Sequence, residues 1–196
     1  MAMGDLLGLQ EYLEDSYEKS IFKQAKDSGQ PLEFHIHGGR IIRGKILEDL
    51  RYDIKADIEG NGEQVLPKVE VKLGYPVDLS ESVRPLIKTD EAVRTLRIEP
   101  IFSPRMRNFV KNKSLFPLMK DKEVVFFTLL EGEIIRGVIT GFSRYEITMS
   151  LKNGNPVTIL RHSIYDLRNK KGRCFLKKFQ EEQKDWERNP LFVSER

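Results

Sequence analysis

Apolar and polar residues alternate in the manner of β-strands along two stretches of the chain. FHIHGGRIIRGKIL (34–47) and VVFFTLLEGEIIRGVIT (124–140) are rich in β-branched and aromatic residues and punctuated by glycine. Each is followed by a segment of period-2 alternation, RYDIKADI (51–58) or RYEITMSL (144–151). Turn signals come next, EGNGE (59–63) or KNGNP (152–156), in which Asn-Gly predicts a two-residue hairpin loop. A last pair of short strands closes each unit, QVLPKVEVKL (64–73) or VTILRHSIYDL (157–167), making about five strands in each. Helical spacing precedes both units. Residues 4–29 place Leu6, Leu9, Leu13, Tyr17, Ile21 and Phe22 on one helix face, ended by Gly29 and Pro31. Before the second unit, Ser103 and Pro104 read as the N-cap and first position of a helix over 103–121.

The two units are copies. Across 22 aligned pairs, from Gly39–Gly60 to Gly132–Asn153, nine residues are identical, where chance supplies about one or two. The offset is 93 positions. Five short strands with mid-strand glycines at Gly44 and Gly137 predict a small, strongly bent, closed barrel, because an open sheet of that size exposes its edges. The expected fold is mainly β with helices: residues 1–78 as a first helix-plus-barrel domain, 79–102 as a linker, 103–168 as a second such domain, and 169–196 as a basic, partly helical tail.

Composition narrows the class of protein. Among 196 residues, 39% are apolar and 32% charged, which is a globular balance, and no run of about 18–20 apolar residues suits a membrane span. The acidic start MAMGDLLGLQEYLEDSYEK lacks the basic and long apolar segments of a secretory signal, so a cytoplasmic location is expected. Cys174 is the only cysteine and reads as a packing residue beside Phe175 and Leu176. The net charge of +3 is uneven: residues 84–122 carry +6 and residues 168–196 carry +4, whereas 31–83 carry −3. Arg84, Lys88, Arg94, Arg97, Arg105, Arg107, Lys111 and Lys113 lie in the basic connection, as a track for a polyanion or as solvated scaffold. His35-x-His37 could face one side of a strand, but no carboxylate or cysteine pattern completes a metal set. No phosphate-binding loop, dinucleotide fingerprint or nucleophile elbow is present, so an enzyme, a cofactor and a metal are not expected.

Two motifs carry a resemblance. LLEGEIIRGVITGF (129–142) and LRHSIYDL (160–167) resemble the paired motifs of the Sm-like superfamily, in its bacterial Hfq branch. The first copy is similar but looser: Asp49 stands at the place of Phe142, and LPKVEVKL (66–73) puts Lys68 at the place of His162. The resemblance implies two tandem Sm-like barrels, self-association edge to edge, and a homotrimer forming a pseudo-hexameric ring. It also implies binding of single-stranded, uridine-rich RNA as a chaperone or post-transcriptional regulator.

By that resemblance Tyr145 is the aromatic residue that stacks a base, and Arg161 with His162 contacts the same nucleotide. Tyr52 and Lys68 are the first copy's counterparts. Arg144 and Arg51 precede the two tyrosines and could meet phosphate, although a dipeptide on one strand points both ways. Ser143 stands where the family commonly carries Asp, and Arg144 where it carries Gln. The alternative, favoured by the acidic first copy, is a structural or protein-interaction module on duplicated barrels with little RNA binding.

Overall fold

In the computed structural model, which describes residues 6–176, 186 and 189–193, the two copies build one antiparallel sheet. The first contributes β1 (Leu32–Ile36), β2 (Arg40–Asp49), β3 (Asp53–Ile58), β4 (Gly62–Pro67) and β5 (Val71–Pro76). A two-strand-residue insertion, β6 (Lys88–Thr89), pairs with the start of β8. The second copy contributes β7 (Val124–Leu129), β8 (Glu133–Phe142), β9 (Glu146–Ser150), β10 (Pro156–Leu160) and β11 (Ile164–Asn169). The order across the sheet is β11-β7-β8-β9-β10-β5-β1-β2-β3-β4.

The duplication is visible in the ladders themselves. Phe34 opposes Gly74 as Phe127 opposes Leu167, and Ile46 opposes Ala56 as Ile139 opposes Met149, each at the offset of 93. Even the β-bulges recur, at Leu47 and Thr140 and at Lys72 and Tyr165. Bulges bend strands, and the two mid-strand glycines let neighbouring backbones close in at the bend. A Cβ on Gly44 would lie 2.6 Å from the Asp57 carbonyl oxygen, and one on Gly137 would meet that of Ser150.

The sheet is bent but open. Among the described residues no ladder joins β4 to β5 or β10 to β11, so the expected closed barrels are not formed. The physical reason is that the edge of β5 is taken by the other copy: Thr158 and Ile159 of β10 oppose Gly74 and Leu73. The hairpin loops also differ from expectation. Residues 59–61 and 151–155 form loops of three and five residues, with the left-handed backbone at Gly60, Gly62 and Gly154. The second loop is held from outside by Ser82, which receives the side-chain amides of Asn153 and Asn155.

The N-terminal helix is cut in two. α1 (Leu9–Ser16) and α2 (Ile21–Ser28) are separated by an extended Ser20, and Gly29 ends α2 in the left-handed conformation. Both ends at the break are satisfied by the second copy: Arg144 N–H donates to the Tyr17 carbonyl, and Ile21 N–H donates to the Glu146 carboxylate at 2.8 Å. The cut lets one segment serve two cores. Leu9, Tyr12 and Leu13 of α1 pack on the second copy's core, while Phe22 and Ala25 of α2 pack inside the first. Short helices α3 (Ser80–Val83) and α4 (Glu91–Arg94) follow in the connection. The helix expected over 103–121 is confined to α5 (Asn112–Lys120); Pro104 instead opens a single 3-10 turn.

Charged residues fasten the join between the copies. Lys72, fully buried on β5, ion-pairs with Glu131 and Glu133 of the second copy. Glu131 also receives the backbone N–H groups of Gly38 and Gly39. Ser163 donates its hydroxyl to the Lys72 carbonyl at 3.0 Å. The cores interlock at the same place, with Leu73 and Tyr75 in the second copy's cluster and Leu160 in the first's.

A second ionic knot fixes the connection to the first copy. Glu33, fully buried on β1, accepts from Arg43 (2.8 Å), Tyr75 (2.6 Å), Ser80 (2.9 Å) and both Nε and Nη2 of Arg84. Burial alone would push the Glu33 carboxyl up; the donors from Arg84, Tyr75, Arg43 and Ser80 outweigh it and hold it well below the carboxylate range. The equivalent residue of the second copy is Phe126, whose ring meets Trp186 and Phe192 while Arg136, the counterpart of Arg43, lies 5.8 Å from its centroid. One position thus receives the connection through a carboxylate and the tail through an aromatic ring. Trp186 packs as a buried docking residue, and α6 (Pro190–Val193) brings in Phe192. Most of the tail expected to be partly helical, Phe179 included, lies outside the described residues.

Removing one partner of a buried ion cluster costs about 3–5 kcal/mol, because the remaining charges lose their counter-ion. Lys72→Met is expected to lower unfolding free energy by about that amount in urea titration. The triple variant K72M/E131Q/E133Q, with no unpaired charge left behind, is expected to recover most of the loss. Equal stability of K72M and the native chain would refute the role given to this join.

Candidate nucleic-acid interface

The two Arg-Tyr dipeptides sit at strand ends, in equivalent three-residue turns. Leu50, Arg51 and Tyr52 link β2 to β3; Ser143, Arg144 and Tyr145 link β8 to β9. Each turn is closed in the same way, by Leu50 N–H on the Asp53 carbonyl and Ser143 N–H on the Glu146 carbonyl. Turn geometry removes the alternation that would send the two side chains apart. The Arg144 guanidinium lies 5.1 Å from the Tyr145 ring centroid, and that of Arg51 lies 5.2 Å from Tyr52. Both tyrosines are exposed, Tyr52 at 69% and Tyr145 at 58%. Each copy therefore presents a wet aromatic face with a cation against it.

The residues behind these turns are engaged inside the protein. Arg161 N–H donates to the Tyr145 carbonyl and Lys68 N–H to that of Tyr52, both at 2.8 Å. This pairing corrects the sequence alignment: Lys68 is the counterpart of Arg161, and Val69 that of His162, at the common offset of 93. LPKVEVKL and LRHSIYDL, set end to end, stand one residue out of step with this offset. Lys68 is pinned by Asp49 at 2.5 Å and by the Leu50 carbonyl. Arg161 lies over the Phe142 ring at 5.5 Å and donates to the Val110 carbonyl at 3.4 Å. Burial pulls its guanidinium down to about 10.

His162 belongs to the join between the copies. Its Nε2 lies 2.8 Å from the Val71 carbonyl oxygen, so that nitrogen carries the proton and donates. Burial pulls the ring down to about 4. His35, whose Nε2 meets the Tyr75 hydroxyl at 2.9 Å, is also pulled down to about 4 by burial. His37 lies beside Glu131, its Nδ1 4.0 Å from the carboxylate. Of the eight candidate RNA-contact residues, Ser143 among them, the structure exposes Arg51, Tyr52, Arg144 and Tyr145, buries Ser143, and holds the half-buried Lys68, Arg161 and His162 in contacts within the protein.

Beside the second turn is a cleft of about 200 Å³ between the two N-terminal helices and β8, β9 and β10. Tyr12, Gln24, Phe142, Ser143 and Glu146 are among its walls. Tyr12 anchors α1 there, its hydroxyl donating to the Phe142 carbonyl and accepting the Phe142 N–H. Sequence patterning gave no sign of Glu146, since a carboxylate after Arg-Tyr reads as a surface residue. Burial pushes its carboxyl up to about 7, against the opposing donors Ile21 N–H and Ser20.

Arginines of the connection are only partly available. Arg84 is committed to Glu33, Arg94 pairs with Glu91 at 3.0 Å, and Arg107 donates to the Ile101 and Phe102 carbonyls. Cys174 is buried with its thiol pushed up to about 12, chiefly by burial, in keeping with a packing role. Among the described residues no helix is long and apolar enough to cross a membrane. Compared with protein-family models and with curated proteins, the chain matches none.

Two opposite pH dependences follow. His35 and His162 have folded values below 6.5, so folding favours their neutral forms and stability falls as pH drops from about 6.5 towards about 4. Glu146 has a folded value above 4.5, so its contribution is complete below about pH 4.5 and is lost as pH rises through about 7. Glu146→Gln keeps an acceptor for Ile21 N–H and removes the charge. It is expected to gain about 2–3 kcal/mol over the native chain between pH 5 and pH 8 in denaturant titrations. A pH-independent difference would refute the buried acid.

Proposed function

We propose that the chain is a tandem Sm-like protein of the Hfq type that binds single-stranded RNA through the two Arg-Tyr turns, as an RNA chaperone or post-transcriptional regulator. The observation that carries this reading is the exposed tyrosine with an arginine against its ring, presented twice at equivalent turns. An aromatic face accepts a base by stacking, and the adjacent guanidinium supplies cation–π and phosphate attraction. The strand order 5-1-2-3-4 within each copy, and the pairing of the fourth strand of one copy with the fifth of the other, support the tandem Sm-like reading. The same pairing made between chains, β4 of one copy against β11 of the next, would give the homotrimeric pseudo-hexameric ring.

The roles divide differently from the sequence expectation. Arg51, Tyr52, Arg144 and Tyr145 meet RNA; Arg161 and Lys68 support the turns through their backbone N–H groups, and His162 holds the copies together.

Stacking of one base is worth about 1–3 kcal/mol by alanine substitution. Tyr145→Ala is expected to weaken binding of a uridine-rich oligonucleotide about tenfold in a fluorescence anisotropy titration, with Tyr145→Phe near native. Affinity is expected to fall steeply as salt rises from about 50 to 200 mM. His162→Ala is expected to shift the unfolding midpoint rather than the affinity of the folded protein. A second reading, a protein-interaction module, is favoured by the exposed apolar side chains of the first copy, Leu47, Leu50 and Val65. Binding that is absent at low salt would move the conclusion to that module.

A further inference from the structure

Among the described residues the main run of the sheet ends at β4 and at β11, and the two ends differ. β4 is bare: Gly62 to Val65 are exposed, with Val65 at 60%. Its counterpart on β10, Thr158, is only 7% exposed because it opposes Gly74 of β5. The same surface that is covered inside the chain is thus open at β4.

At the other end, the strand equivalent to β5 is already occupied. Leu167 of β11 is the counterpart of Gly74, and its carbonyl accepts the Phe175 N–H at 2.9 Å. Asn169 N–H donates to the Arg173 carbonyl at 3.1 Å, and Cys174 bridges to Arg168 in antiparallel sense. The Asn108 side-chain amide takes the Ile164 and Tyr165 carbonyls at 3.3 and 3.1 Å. The turn that brings residues 173–175 back is a built feature. The Asn169 side-chain oxygen accepts the N–H groups of Lys171 and Arg173 at 3.1 and 3.0 Å, and Arg168 Nη1 donates to the Gly172 carbonyl. Cys174 Sγ is 3.0 Å from an Asp166 carboxylate oxygen.

The ionic fastening of the internal join is also missing from the outer edges. Lys72, Glu131 and Glu133 have Tyr165, Gly38 and Arg40 as counterparts at the common offset, a set that cannot form the buried ion cluster. A contact between chains at these edges would have the strand pairing of the internal join without its charged lock.

We infer that residues 173–175, with Asn108, are a removable cap on the β11 edge that stops the internal β5–β10 junction from being repeated between chains, and that the surface the cap competes with is the β4 edge of a second copy. An unpaired edge is a template for another strand, so a cap on one edge arrests growth even while the other stays bare. This inference rests on the head-to-tail reading of the outer edges, and it adds that the free chain is held short of that assembly.

The test is sedimentation of the full chain at increasing concentration, with circular dichroism to confirm the fold. Two variants open the edge by different routes. Phe175→Pro removes the N–H that holds the Leu167 carbonyl, and Asn169→Ala removes the acceptor that shapes the turn. The native chain is expected to sediment as one copy, and the opened variants to associate about tenfold or more tightly. Adding Val65→Lys is expected to return them to one copy. A native chain that assembles three copies unaided would overturn the cap, as would folded variants that stay single. Association that Val65→Lys leaves intact would overturn the assignment to β4. Open-ended polymers of the opened variants would support the cap while rejecting the three-copy ring, and an RNA titration of the same samples judges the Arg-Tyr turns separately.

Discussion

The rest of the structure depends on one ammonium group buried between two carboxylates. Lys72 leaves β5 of the first copy and meets Glu131 and Glu133 on the turn and strand of the second. Desolvating three charges is costly, and the compensation comes only when these elements stand in one register. Backbone groups of Gly38 and Gly39 complete the Glu131 shell, so the β1–β2 turn is fixed by the same contact. Once β5 is held there, its outer edge can be filled by β10, and two sheets become one. The ion cluster thus selects the relative placement of the copies, whereas the shared apolar residues Leu73, Tyr75 and Leu160 supply most of the burial.

The same dependence explains the split helix. With the copies side by side, the Glu146 carboxylate and the Arg144 backbone stand where a continuous helix would run. They satisfy the free N–H and C=O groups of two shorter helices, so breaking the helix loses little hydrogen bonding. α1 then covers the second core although it precedes the first copy in sequence.

Much of the sheet was legible before folding. Alternation marked ten strands, the repeat of Ile-Ile-Arg-Gly and Arg-Tyr marked the duplication, and Gly44 and Gly137 marked the bends. Closure was not legible, because whether an edge is filled from within a copy or by another depends on contacts with no local signature. The second hairpin loop departs from its Asn-Gly signal for a related reason: Ser82, some seventy residues from Asn153, holds it. At the candidate interface, Tyr145 and Arg144 could be singled out from repetition alone. Glu33, Lys72 and Glu146 could not. A lone charge in an alternating strand reads as solvent-facing until its partners, 51 positions away for Arg84 or 59 for Glu131, are brought alongside.

The slot shared by Glu33 and Phe126 has a consequence for how the two halves could be separated. Each half is sealed by the segment that follows it, the first by Ser80 and Arg84, the second by Trp186 and Phe192. The seals use incompatible chemistry, a carboxylate that demands cations and a ring that demands aromatics. Neither following segment can stand in for the other. The halves share a backbone plan yet are no longer interchangeable parts, and shuffling their connecting pieces would leave a buried charge at one end and an unfilled ring at the other.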